Sequence, residues 1–166
     1  MKKVASRSAQ WPLFAEFTAS FNEWVIDTVS TVKKTFGSTV ANATDPLEAG
    51  LTAGTAVTFD CIPMPVGAVI IGGELIVETA FVGIGAGATL DVGIAGDTSA
   101  LISAYDLDAA AAGDRTAFTL AKPLLCNNGQ NIRLTTAGVA ATATAGKFRV
   151  RVVYTIDGRT SEVQIA

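Results

Sequence analysis

The chain has 166 residues, of which 49% are apolar and 16% charged, and it carries a formal charge of −3. That length fits one ordinary domain with one core, and the charged share lies below the roughly 25% usual for soluble domains. It contains no histidine, which excludes Ser-His-Asp and Cys-His catalysis and most zinc sites.

Charge is spread unevenly. Residues 1–36 hold Lys2, Lys3, Arg7, Lys33 and Lys34 against Glu16, Glu23 and Asp27, while the remainder is acidic. Neither part has the clustered Lys/Arg field of a nucleic-acid binder. Low charge with many Ala, Val and Gly suits a surface partly covered by neighbouring chains. The same composition also describes an ordinary Ala/Gly-rich domain.

The chain opens MKKVASRSAQWPLF, whose basic residues are not followed by the apolar stretch of a signal peptide. No run approaches the roughly 18 apolar residues of a membrane span. The expectation is a soluble protein made in the cytoplasm, with no membrane partner.

Trp11, Phe14, Phe17, Phe21, Trp24 and Phe36 make up half of the aromatic residues. Phe14, Phe17, Phe21 and Trp24 are spaced three, four and three apart, which predicts a helix over about 12–26 with Pro12 in its first turn. Residues 1–37 therefore read as an aromatic helical arm, packed either on its own domain or on a partner chain. Residues 38–56 read as a linker, with Asp45–Pro46 and two glycines but no period.

From residue 57 to 166 the pattern is that of short strands separated by Gly, Pro and Asp turns. Val57–Cys61 is the first strand. Ala68–Thr79 is a strand pair or one bulged strand, with Gly72–Gly73 at the bend. Ala88–Ile94 follows, then shorter strands at Ala117–Leu120 and Asn131–Thr135. In Lys147–Ile156, Phe148, Val150, Val152 and Tyr154 face one way. Lys147, Arg149, Arg151, Val153 and Thr155 face the other, as a solvated face, a cross-strand-paired face or a salt-bridged subunit contact. Asp157–Gly158 signals a hairpin into Ser161–Ile165. Val82–Ala88 and 135–146 read as small-residue loops. The whole predicts a mainly β fold, an antiparallel β-sandwich or jelly roll of about eight strands.

Motifs of chemistry are weak. Gly83, Gly85 and Gly87 lack the GK[ST] ending of a P-loop and the spacing of a dinucleotide fold. Asp106, Asp108 and Asp114 lack the remaining ligands of a calcium loop, and Asp106 reads as a cap. Cys61 and Cys126 are far apart and read as buried small apolar residues, their pairing left open. No catalytic residue, cofactor or metal is expected, and the protein is not expected to be an enzyme.

The stretches PMPVGAVIIGGELIVETAF (63–81), ATLDVGIAGDTSALISAYDL (88–107) and TAGKFRVRVVYTIDGRTSEVQ (144–164) resemble small structural proteins of tailed bacteriophages. The resemblance spans roughly 55–164 and implies a jelly-roll sandwich of the capsid decoration or cement kind. It implies a place on the virion's capsid surface, the major capsid protein as partner, and a homodimer or homotrimer. Related sandwiches occur in head fibres or tails, so a carbohydrate-binding sandwich on a fibre or tail is the alternative. The arm lies outside the resemblance. Its aromatics Trp11, Phe14, Phe17, Phe21 and Trp24 are the expected partner contacts, since interface energy concentrates in buried aromatics.

Overall fold

In the computed structural model the described residues are 12–28, 31, 33–36, 56–126 and 130–156. They form eleven strands: β1 (Leu13–Ser20), β2 (Trp24–Ile26), β3 (Lys33–Thr35), β4 (Val57–Ile62), β5 (Ala68–Val82), β6 (Thr89–Ile94), β7 (Asp97–Asp106), β8 (Arg115–Ala117), β9 (Leu124–Cys126), β10 (Ile132–Ala137) and β11 (Ala145–Ile156). All pairings are antiparallel. The first sheet runs β1-β11-β5-β8, with β9 also on β5; the second runs β4-β10-β6-β7; β2 and β3 form a separate ribbon.

The helix expected over 12–26 is not there. Its residues form β1, a turn and β2. The reason lies in tertiary pairing. β1 joins β11 in continuous register, from Leu13 opposite Tyr154 to Ser20 opposite Lys147. Its burial alternates, with Leu13, Ala15, Phe17 and Ala19 turned inward and Phe14, Glu16 and Thr18 outward. A four-residue spacing such as Phe17 to Phe21 is compatible with a strand as well as a helix. The Thr and Ser positions give the segment little helical preference to oppose the ladder. The expected linker at 38–56 lies outside the described residues apart from Ala56.

The two sheets close over one core. Phe148, Val150 and Val152 of β11 and Ile70 and Leu75 of β5 meet Phe59 of β4, Leu90 and Val92 of β6 and Leu134 of β10. Phe36, just after β3, enters between the sheets, with its ring centroid 5.3 Å from Phe148 and 6.0 Å from Phe59. Edge-to-face and tilted ring packing of this kind adds to the stabilisation from burial itself.

β5 is one bulged strand rather than a pair. Its register against β11 shifts between Val153 and Tyr154, next to Gly72–Gly73. Gly73 has φ 152°, and a side chain there would collide with the Phe118 ring and the Arg151 carbonyl. The glycine lets Phe118 cap the bend. β7 was not anticipated as a strand. The sequence DTSALISAYD is poor in β-branched residues, and its strand state rests on pairing with β6.

The loop between β5 and β6 and the loop between β10 and β11 close one end of the sandwich. Ile84 is fully buried, and its carbonyl accepts the N–H groups of both Ala140 and Ala141. Thr144 N–H donates to the Val82 carbonyl at 2.8 Å.

Candidate interaction surface

The outward residues of β1, β11, β5 and β8 share one face of the first sheet. Cross-strand register sets Glu16 beside Arg151, Arg151 beside Glu74, and Arg149 beside Ile76. Charges of opposite sign alternate across the strands. Arg151 Nε donates to Glu16 Oε1 at 2.5 Å, and Arg115 Nη2 donates to Glu74 Oε1 at 2.5 Å. Lys147 Nζ lies 2.8 Å from Glu78, and Arg149 lies 3.5 Å from Glu16 and 3.2 Å from Glu78. The Arg149 Nε contact to Glu78 is close but poorly aligned, so that buried nitrogen makes no hydrogen bond.

These pairings depress the carboxyls. Glu16 is held below its ordinary value by the hydrogen bond from Arg151, and the charges of Arg151 and Arg149 add to it. Glu74 is lowered chiefly by the Arg115 hydrogen bond, and Glu78 chiefly by Lys147. Each effect works against a smaller opposing one from partial burial. The Lys147, Arg149 and Arg151 row is thus a cross-strand-paired face. Its cations are largely committed within the chain.

Next to this ladder the face turns apolar. Phe14 is 65% exposed, and its cross-strand neighbour Val153 is half-buried. Ile71, in the β5 bulge, is 43% exposed. Leu125 of β9, opposite Val69, is 41% exposed, and Val66 in the turn before β5 is 71% exposed. Four of the six large apolar side chains most exposed among the described residues therefore gather at one end of this sheet. Isolated exposed apolar residues need no explanation, but a contiguous group rimmed by polar residues marks an interaction surface.

Of the expected contact residues, Phe14 lies on the opposite face of β1 from Phe17. Phe14 points outward into the apolar group. Phe17 and Phe21 pack partly against the core from the opposite face. Trp24 begins β2, paired with Thr35, and Trp11 lies outside the described residues. Ile71, Leu125 and Val66 were missed. Their signal was weak, because each sits in an apolar run in which period-two burial cannot be read.

A second feature lies at the β1 side of the sandwich. A cleft of about 500 Å³ is lined by Phe17, Val25, Ile26 and Phe59, with Glu23, Asp27 and Asp60 around it. Asp27 is 3.4 Å from Lys34, and Asp60 is 2.7 Å from Arg133. Phe17 of β1 and Phe59 of β4 come from different sheets, and their ring centroids are 6.3 Å apart.

The residues weighed for chemistry sit in structural roles. Asp106 Oδ1 accepts the N–H groups of Asp108 and Ala109, each at 3.0 Å, as a turn cap. Among the described residues no three His, Cys, Asp or Glu side chains gather as a metal set. Cys61 and Cys126 are both free thiols. Cys61 Sγ donates to the Ile132 carbonyl, and burial pushes its thiol well above the ordinary range, which disfavours the thiolate.

No protein-family model matches the chain, and no curated protein does. Among solved structures, a chain described as belonging to the cyanophage Pam1 capsid asymmetric unit is similar, with a TM-score of 0.59 and 21% identity. The match covers 92% of each chain. At that identity the likeness is one of fold: over 92% of its length the chain shares the architecture of a chain found in a phage capsid.

Proposed function

We propose that this protein is a non-enzymatic structural component of a tailed-phage virion, a decoration or cement protein that bridges major-capsid subunits. The observation that carries this is the fold shared with a capsid chain over 92% of both lengths. The exposed apolar group on the first sheet supports it, since a cement protein needs a dry contact area on its outside. The internally paired ion ladder beside that group fits as well. Charges matched within one chain cost less to cover than unpaired ones.

In this reading Phe14, Ile71 and Leu125 meet the capsid shell, while Phe17 and Phe21 hold the sandwich. Electron microscopy of the native particle tests it. Sandwich density across junctions between capsid subunits is expected, and a particle without it overturns the assignment. Binding of purified protein to a glycan array, with no affinity for shells, would favour the fibre or tail alternative instead. Replacing Phe14 and Leu125 together with Ser should weaken shell binding by about tenfold or more, because exposed apolar anchors dominate such contacts, and should leave the melting temperature nearly unchanged.

A further inference from the structure

β1 is an edge strand, and among the described residues no strand pairs with its outer side. Phe21 N–H donates to the Gly146 carbonyl at 2.9 Å, which fixes which residues face β11. The odd positions from Leu13 to Phe21 bond to β11. The backbone groups of Phe14, Glu16, Thr18 and Ser20 point the other way, since bonding alternates along an antiparallel strand. The strand has no bulge and no register shift over its eight residues. Natural edges are usually blunted by bulges, prolines or inward-pointing charges. Among the described residues the blunting lies at the ends. Pro12 has no N–H to offer, and the Ser20 carbonyl already accepts Glu23 N–H at 3.0 Å.

We propose that the outer edge of β1 pairs antiparallel with β1 of a second copy of this chain, about a two-fold axis at Phe17. The free edge runs from Phe14 to Ser20, so its midpoint is Phe17. In that register Glu16 lies opposite the partner copy's Thr18, and Phe14 lies opposite its Ser20. Centring on Glu16 instead would oppose two like charges, which is destabilising. Centring on residue 15 would set Phe14 against Glu16 and place Pro12 in the ladder. Of these three registers, only the one centred on Phe17 avoids both the like charges and Pro12. About four bonds form near the axis, from the Glu16 and Thr18 backbones of both copies.

The cleft lies on this same side, and Ile26 on its rim is 55% exposed. Edge pairing brings the clefts of two copies together, so one contact covers both the open ladder and the apolar hollow. Main-chain bonds supply affinity in such strand addition, and side-chain pockets supply selectivity.

The test uses the purified chain alone, by sedimentation equilibrium and by amide exchange. A dimer is expected, with slow exchange at the Glu16 and Thr18 amides. Thr18→Pro removes a donor from the outer edge only and should weaken the dimer by about tenfold or more. Thr18→Glu faces the partner copy's Glu16 yet sits beside Arg149 in its own copy, so it should weaken the dimer while the fold stays intact. If Thr18→Pro does not fold, Thr18→Glu decides. A monomer with fast exchange at both amides overturns the proposal, and so does a dimer indifferent to Thr18→Glu. Protection that appears only on added capsid shells also overturns it, because another chain would then occupy the edge. No shell is needed for the first measurement, so its failure leaves the capsid assignment standing.

Discussion

The molecule treats the edges of its two sheets differently. β7, at the edge of the second sheet, is disrupted at its centre. Ser103 and Ala104 together oppose Asp91 of β6, and Ala104 takes φ 49°, a left-handed conformation unusual for alanine. Asp91 Oδ1 accepts the Ala104 N–H at 2.5 Å and holds the bulge. The Leu101 carbonyl on the outer side of β7 is taken by Thr119 N–H at 2.8 Å. β1 has none of these devices along its length. One edge is closed against pairing at a cost in backbone strain; the other is left regular. A regular open edge is a liability in a free monomer and an asset in an assembly, and the proposed pairing of β1 rests on that contrast.

That contrast can be broken from either side. The largest effect is expected from Leu101→Ala. This β7 side chain is fully buried, and its truncation should cost about 2–5 kcal/mol by denaturant unfolding. The same truncation at Phe14, which points to solvent from β1, should stay within about 0.5 kcal/mol and act on association instead. Next comes the bulge. Asp91→Ala should cost about 1–2 kcal/mol through the lost bond to Ala104, and sedimentation should show concentration-dependent aggregation as the β7 edge straightens. Conversely, Ala104→Gly should raise stability by up to about 1 kcal/mol, since glycine adopts positive φ without penalty.

The smallest effect lies in the ladder. Glu78→Gln should cost about 0.5 kcal/mol at neutral pH, because exposed pairs are screened by solvent. Its pH signature is clearer than its size. Glu74 and Glu78 have folded values below the ordinary 4.5. Their contribution is therefore fully present above about 4.5 and is lost as pH falls through the lower folded values. Thermal melts below pH 4.5 should decline less steeply in Glu78→Gln than in the parent chain.

Much of the sandwich was legible in the residues. The alternation in Lys147–Ile156 gave β11 and both its faces, and Gly72–Gly73 gave the bend in β5. β1 was not legible as a strand, because three- and four-residue spacing of Phe14, Phe17, Phe21 and Trp24 mimics a helical stripe. What overrode it was a partner strand whose paired residues lie 127 to 141 positions away, with Arg149 and Arg151 waiting for Glu16. No local pattern contains that information. The exposed apolar group was half legible. Val153 was correctly placed on the face of the arginines, and Phe14 was picked out. Ile71, Leu125 and Val66 join them only through sheet order and a bulge, which are properties of the fold and not of any segment.

The loop closure at the end of the sandwich bears on how this sequence can drift. Ile84 and Val82 are held to Ala140, Ala141 and Thr144 through main-chain atoms, so the repetitive Ala, Thr and Gly text there is read largely as backbone. Small residues can exchange for one another without altering the closure. Gly138 is one exception, with φ 69° and a backbone neighbour, Gly87, where a side chain would have to go, and the buried Val139 and Ala143 and the Phe81-packed Gly146 are others. Spelling in that segment is therefore loosely constrained and length is tightly constrained. A single inserted residue would displace the N–H groups that Ile84 accepts, while many substitutions would pass unnoticed.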